Sequence, residues 1–309
     1  MKKVLSLVFA ILLALGCAAM AEGLSVEGLT ATYVTSPLNV PSIVEKENGV
    51  FADTLGVPVE YAEITSGADQ TQALASGDVQ LLYAVGGTSI ILSAANGADI
   101  RVLNMYSRAP KAFCLYSKDD TLTTPEALKG KTIAGPAGTN LHELLVAYLN
   151  TAGMTIEDVN YVSMGIPEAK AALDGGSADV AMLGGAAAYN AGKQGYHLVT
   201  DGEGLIQAII AVAVTNAYAD AHPDVIEKLL EAQQTVMSTI ESDPEAAFAL
   251  TAQYLDLDVD AVKEMYACYD FSLDVSEADI EGFQKTADFM YESGMIEAPY
   301  DVKGLFPAK

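Results

Sequence analysis

The stretch Lys131–Leu149, KTIAGPAGTNLHELLVAYL, gathers the residue types that could hold a small ligand. Gly135 and Gly138 let a ligand approach the backbone closely. Thr139 and Asn140 add short polar side chains, and His142 stands one turn further on. A strand that turns through glycines into a helix leaves free backbone N–H groups at the helix start. Thr139 or Asn140 occupies the N-cap position. The same grammar recurs after other strands: Ser36-Pro37-Leu38-Asn39, Gly67 with Asp69 and Gln70, Gly86-Gly87-Thr88-Ser89, Gly165-Ile166-Pro167 and Gly184-Gly185. Any one of these reads equally as an ordinary turn. As a set they converge on one crevice if the chain is an open α/β sheet. The candidate ligand residues are Ser36, Asn39, Gly67, Gly87, Thr88, Ser89, Gly138, Thr139, Asn140, Gly165 and Gly184.

Other chemistry is less well provided for. General-base catalysis by His142 needs an oriented partner and a nucleophile, and a plain helix-face histidine explains it as well. Asp69 could anchor a cation, or be a solvated first-turn residue. Gly130-Lys131-Thr132 resembles the end of a phosphate-binding loop, but Pro125 stands where the earlier glycine belongs, and the turn precedes its strand. Cys114 and Cys268 could pair after export, or Cys114 could be a buried free thiol in its apolar run. There is no C-x-x-C and no histidine pair at metal spacing, so neither cofactor nor metal is expected.

Elements that could position these turns follow from periodicity. Strands are expected at Leu29–Val34, Val57–Ile64, Val79–Val85, Ile100–Tyr106, Ala112–Tyr116, Thr132–Ala134, Val159–Ser163, Val180–Leu183 and His197–Val199. Helical patterns separate most of them, which predicts βαβ units and mostly parallel sheets. On the helix after Thr139, Leu141, Leu144, Leu145, Tyr148 and Leu149 form one apolar face. Beyond Asn216 the pattern is helical alone, with Pro223 opening one helix and Ile280, Phe283, Ala287 and Met290 spacing another. So many strands predict two lobes. Ala109–Tyr116 and Ile206–Thr215 are the candidate crossings, giving 22–109 plus 215–309 as one lobe and 110–214 as the other.

The chain of 309 residues opens with Lys2, Lys3, a twelve-residue apolar run Val4–Leu15 and Ala19-Met20-Ala21. This reads as an export signal over 1–21, too short to span a membrane. Cys17 supports a rival reading, cleavage before a lipid-modified cysteine. The location expected is periplasmic or extracellular. The net charge of −25, with Arg101 and Arg108 the only arginines, argues against nucleic acid or an anionic membrane as partner.

Several stretches resemble, in order, the sulfonate/nitrate/taurine group of ABC-transporter solute-binding proteins, with its thiamine-precursor relatives. They are Ile43–Phe51 (IVEKENGVF), Gly67–Asp78 (GADQTQALASGD), Asn96–Ile100 (NGADI), Glu126–Ala137 (EALKGKTIAGPA), Asp174–Val180 (DGGSADV), Thr200–Leu205 (TDGEGL), His222–Leu230 (HPDVIEKLL) and Phe289–Ile296 (FMYESGMI). The resemblance implies a bilobed α/β type II periplasmic-binding fold. It also implies that the post-strand turns face a ligand between the lobes. The implied function is capture of a small molecule and delivery to an ABC permease by a monomer that is not an enzyme. Alternatives on the same fold are an enzyme of thiamine-pyrimidine synthesis and a ligand-sensing partner of a receptor. The stretch Gly184–Tyr189, GGAAAY, departs from the group, where many relatives carry a Trp and an Asp facing the ligand; this chain contains no Trp.

Overall fold

The structure is a computed structural model that describes residues 24–35 and 38–306. The expected signal over 1–21, Cys17 and the candidate Ser36 lie outside the described residues. Ten strands follow in chain order: β1 (Leu29–Tyr33), β2 (Val59–Glu63), β3 (Leu82–Gly86), β4 (Arg101–Arg108), β5 (Phe113–Ser117), β6 (Thr132–Gly135), β7 (Asn160–Ser163), β8 (Val180–Gly184), β9 (His197–Asp201) and β10 (Ile209–Val214). Seven helices interleave with them: α1 (Val40–Asn48), α2 (Val50–Leu55), α3 (Gly67–Ser76), α4 (Gly87–Ala95), α5 (Asn140–Asn150), α6 (Ile166–Gly175) and α7 (Gly185–Lys193). Five more follow β10: α8 (Asn216–Ala221), α9 (Pro223–Ser242), α10 (Pro244–Leu255), α11 (Val259–Tyr266) and α12 (Glu277–Glu292).

The strands form two sheets of matching order. In the first, β1 pairs with β2, an Ala31–Leu81 bridge carries the sheet on to β3, and β10 lies between β3 and β4. The second runs β7-β6-β8-β5-β9. The expectation of mostly parallel sheets holds for β1 with β2 and for β6 with β7 and β8. It fails at β5 and β10, which run antiparallel to both neighbours. Parallel pairing needs a crossover helix between successive strands. Neither β5 nor β10 enters its sheet through one: β5 comes directly from β4, and β10 returns from the other sheet.

Sequence chemistry accounts for most element ends. Pro223 sits in the first turn of α9, whose Val225, Leu229, Val236 and Ile240 are buried. Burying each such side chain contributes about 1.5–3 kcal/mol. Helix α12 opens with a reciprocal cap: Ser276 Oγ accepts the Asp279 N–H, and the Asp279 carboxylate accepts the Ser276 N–H at 2.8 Å. Helix α5 differs from its expected one-sided pattern, for Asn140, Leu141 and all of Glu143–Leu149 are buried. It lies between its own sheet and α4, so both of its faces are covered. Every residue of β10 is buried as well. Among the described residues no helix is long and apolar enough to cross a membrane.

Candidate functional site

The turns after β1, β2, β3 and β6 meet where the two sheets face each other. A cavity of about 70 Å³ there is lined by Thr65, Gly67, Gln70, Gly86 and Ser89 from the first lobe's turns, and by Pro136, Thr139 and Asn140 from the second lobe's. Val34, Phe113, Leu141, Ile166 and Ile210 give it an apolar wall. Ala84 lines it too, in the left-handed region at φ 75° beside a break in the β3–β10 register. Such a bulge re-aims the chain at a cost of order 1 kcal/mol.

The candidates fall into three groups. Gly67, Ser89, Gly138, Thr139 and Asn140 are brought together. Ser89 Oγ donates to Gly138 O at 2.8 Å, joining the turn after β3 to the turn after β6. A Cβ on Gly67 would stand 2.0 Å from Ser89 Oγ, so only glycine admits this approach. Gly138 has φ +65°. Thr139 is the N-cap residue of α5 by backbone geometry, yet its hydroxyl makes no cap and donates to Pro136 O at 3.1 Å.

Gly87 and Thr88 are buried beside this cavity rather than on its wall. A Cβ on Gly87 would meet Ile209 O and the Phe283 ring at 3.2 Å. Thr88 Oγ1 lies 2.8 Å from Asn140 Oδ1 and 2.5 Å from Glu143 Oε2. Asn39 is buried at the start of α1, where Nδ2 donates to Val34 O at 2.8 Å and Oδ1 has no partner among the described residues.

Gly165 and Gly184 are the N-cap residues of α6 and α7 and stand outside the cavity's lining. The Glu168 carboxylate folds back over Gly165. The start of α7 opens instead onto a second cavity of about 200 Å³, lined by Lys111, Cys114, Gly185, Glu264, Cys268 and others. Both cysteines there are free thiols; burial pushes the Cys114 thiol up to about 12, which makes it a poor nucleophile.

His142 and Asp69 take the plainer of their two readings. His142 Nδ1 accepts the Gly138 N–H at 3.2 Å, and its ring stacks on Tyr161 at 5.1 Å. Burial lowers its pKa, so the neutral ring holds the Gly138 turn in place. Asp69 is exposed in the first turn of α3, where its N–H is capped by Ser66 Oγ. Among the described residues no cluster of His, Cys, Asp and Glu could hold a metal ion.

Sequence reasoning missed the apolar wall and Glu143. Phe113 and Ile210 lie in the two candidate crossings, but nothing in their apolar runs says that they line the cavity. Glu143 is an acidic residue in an apolar helix, which was a visible signal. Its carboxyl is buried and held by hydroxyls of Thr88 and of Thr286 on α12, the latter at 3.0 Å. Burial raises it to about 7, against the opposing pull of those two hydrogen bonds.

Two sheets of order 2-1-3-n-4, each completed by an antiparallel crossing strand, with helix starts facing across the gap, define the bilobed type II periplasmic-binding fold. The alkanesulfonate-binding protein SsuA from Xanthomonas axonopodis pv. citri bound to MOPS has the same fold: TM-score 0.83, 22% identity, 91% of this chain and 98% of that one covered. So does the periplasmic aliphatic sulphonate binding protein SsuA from Escherichia coli, at TM-score 0.75, 22% identity and 91% and 97% coverage. The chain belongs to the NMT1/THI5-like family, whose model matches residues 36–247. It is 31% identical to the taurine-binding periplasmic protein of Escherichia coli K12 over 67% of this chain and 65% of that relative, just under two thirds of its length. A putative aliphatic sulfonates-binding protein of Bacillus subtilis 168 is 25% identical over 85% and 81%.

Proposed function

We propose that this chain is an exported solute-binding protein that captures a small organic molecule between its lobes and hands it to an ABC permease. The observation that carries this reading is the cavity between the lobes. Its lining combines the short polar residues Ser89, Thr139 and Asn140 with the apolar side chains of Val34, Phe113, Leu141, Ile166 and Ile210. That pairing suits a ligand with one polar end and a short hydrocarbon body. The family match supports it, and the named relatives make taurine and alkyl sulfonates the first ligands to try. The expected bounds of 22–109 with 215–309 and of 110–214 would assign β10 to the second lobe; because β10 pairs with β3 and β4, the boundary we propose among the described residues is 24–109 with 209–306 and 110–208. The ligand residues we propose are Gly67, Ser89, Gly138, Thr139 and Asn140. Asn39, Thr88 and Gly87 support them from behind, Gly165 and Gly184 start the helices α6 and α7 nearby, and Ser36 stands as a candidate by its place in the sequence alone. The protein acts as a monomeric carrier with no catalytic step.

Ligand bridging both lobes favours the shut form by its differential affinity. The test is a thermal-shift screen of taurine, alkyl sulfonates of increasing chain length, nitrate and riboflavin. An alkyl sulfonate or taurine at about 100 times its Kd should stabilise by about 2.7 kcal/mol, several degrees for a chain this size. No shift from any sulfonate, or conversion of a hit into product, would overturn the reading.

A further inference from the structure

Beside the proposed ligand cavity, polar groups of five residues make a hydrogen-bonded chain across the lobe boundary. Thr286 on α12 faces Glu143 Oε1 at 3.0 Å, and Glu143 Oε2 lies 2.5 Å from Thr88 Oγ1 on α4. Thr88 Oγ1 is 2.8 Å from Asn140 Oδ1, and Asn140 Nδ2 donates to Ile209 O at 3.4 Å, where β10 begins. The surrounding pocket, lined also by Gly87, Ile91 and Phe283, leaves about 0 Å³ for a water molecule.

Counting protons settles the charge state that this arrangement admits. Asn140 Nδ2 points at the Ile209 carbonyl and Asn140 Oδ1 at Thr88. Thr88 then faces two acceptor oxygens with one hydroxyl proton. If Glu143 is neutral, its O–H donates to Thr88 Oγ1, Thr88 donates to Asn140 Oδ1, and Thr286 donates to Glu143 Oε1. Every atom is paired. If Glu143 is ionised, one oxygen loses its partner and a charge is left buried. No cation compensates it: α4 and β10 carry no titratable side chain. On α12, Glu277, Glu281, Lys285, Asp288 and Glu292 are exposed, and Asp279 is held by Arg108. On α5 itself the nearest ionisable group, His142, is committed to Gly138 and Tyr161.

We propose that Glu143 is a proton-carrying clasp that, in its neutral form, fastens the start of α5 to α4 and α12 and so holds the two ligand-facing turns together. Ionising it releases the joint. Closure of the lobes then takes up a proton, and capture of solute is favoured on the acid side of neutrality. The consequence for solute rests on the ligand reading above; the joint itself does not.

The test therefore uses the exported chain without added ligand. Small-angle scattering and thermal melting at pH 5.5 and 8.5 would be compared for wild type and Glu143→Gln. Gln supplies a permanent donor to Thr88 and an acceptor to Thr286. The wild type should show a larger radius of gyration at pH 8.5 than at pH 5.5, and Glu143→Gln the same compact radius at both. An infrared carboxylic-acid carbonyl band should appear at pH 5.5 in the wild type minus variant difference. If Glu143→Gln does not fold, Thr286→Val should move the wild-type opening to higher pH, because it removes a hydrogen bond that favours the ionised form. Thr286→Ser should restore the midpoint. A pH-independent wild-type radius, an equal pH response in Glu143→Gln, or no carbonyl band would overturn the clasp. Failure of every sulfonate in the thermal screen would leave these readouts unaffected and would count against the ligand reading alone.

Discussion

Thr139 shows how one residue can be placed by sequence and yet have its role decided elsewhere. Its type and position predict an N-cap, and it stands there, but its hydroxyl bonds Pro136 O instead of a helix N–H. Replacing it should therefore cost little of the roughly 1 kcal/mol that a true cap supplies. Its side chain also lines the cavity of about 70 Å³, so bulk there should displace ligand. Thr139→Leu is expected to weaken binding at least tenfold, about 1.4 kcal/mol, with the melting curve of the free protein nearly unchanged. Titration calorimetry with the best sulfonate beside a melt checks it. Normal binding by the variant would remove Thr139 from the site. Residues that line the cavity through turn chemistry were legible in this way. Glu143 was not placed, because nothing in the α5 sequence says that Thr88 and Thr286 will lie against it.

At the scale of elements, Arg108 ties the end of β4 to α12 and to the segment that leads into it. Arg108 Nε and Nη2 donate to the two carboxylate oxygens of Asp279, each at 2.7 Å. Its other donors reach Ser272 O at 2.6 Å and Asp274 O at 2.8 Å. Asp279 in turn caps its own helix through Ser276. Arg108→Ala leaves that nearly buried carboxylate without its cation and should destabilise by about 3 kcal/mol, read by urea unfolding. A loss under about 1 kcal/mol would mean the pair is mere surface decoration. Nine of the ten described strands fall on predicted apolar runs between turn signals, whereas β10 (Ile209–Val214) was read only as part of a crossing. Strand direction at β5 and β10 was not predicted, because an apolar run is the same read from either end. Only its partners fix which way it runs.

For the whole molecule, buried carboxyls and net charge act in one direction. Burial raises Glu143 to about 7, and it does the same to Glu45 on α1. One Glu45 oxygen accepts the Tyr61 hydroxyl at 2.7 Å and the Phe51 N–H at 3.1 Å, while the other has no partner among the described residues. A carboxyl raised in the folded state contributes stability that is complete below its unfolded pKa of about 4.5 and is lost as pH rises through about 7. Each can contribute up to about 3 kcal/mol over that window. The net charge of −25 adds repulsion on the same side. Asp270 and Asp279, lowered by hydrogen bonds and by Arg108 against the cost of burial, act oppositely and protect only while the pH stays above about 4. Stability should peak near pH 5, and urea unfolding at pH 5 and 8 should show the fall. Glu45→Gln should flatten about half of it. An unchanged slope would show that the charge of the surface, not the buried acids, sets the profile.

The amino-acid sequence by itself determined the alternation of strands and helices, the glycine turns that open α3, α4 and α5, and the ordered stretches that mark the family. These are local matters: periodicity, turn chemistry and capping act over a few residues. Tertiary structure decided what no local rule contains. It set Phe113 and Ile210 in the wall of the cavity, turned Thr88 away from it, left Gly165 and Gly184 outside its lining, and enclosed Glu143 among hydroxyls from two other helices. Each of those outcomes depends on chain segments far apart in sequence arriving at one place. Whether a side chain is buried, paired or free to meet a ligand is a property of that meeting.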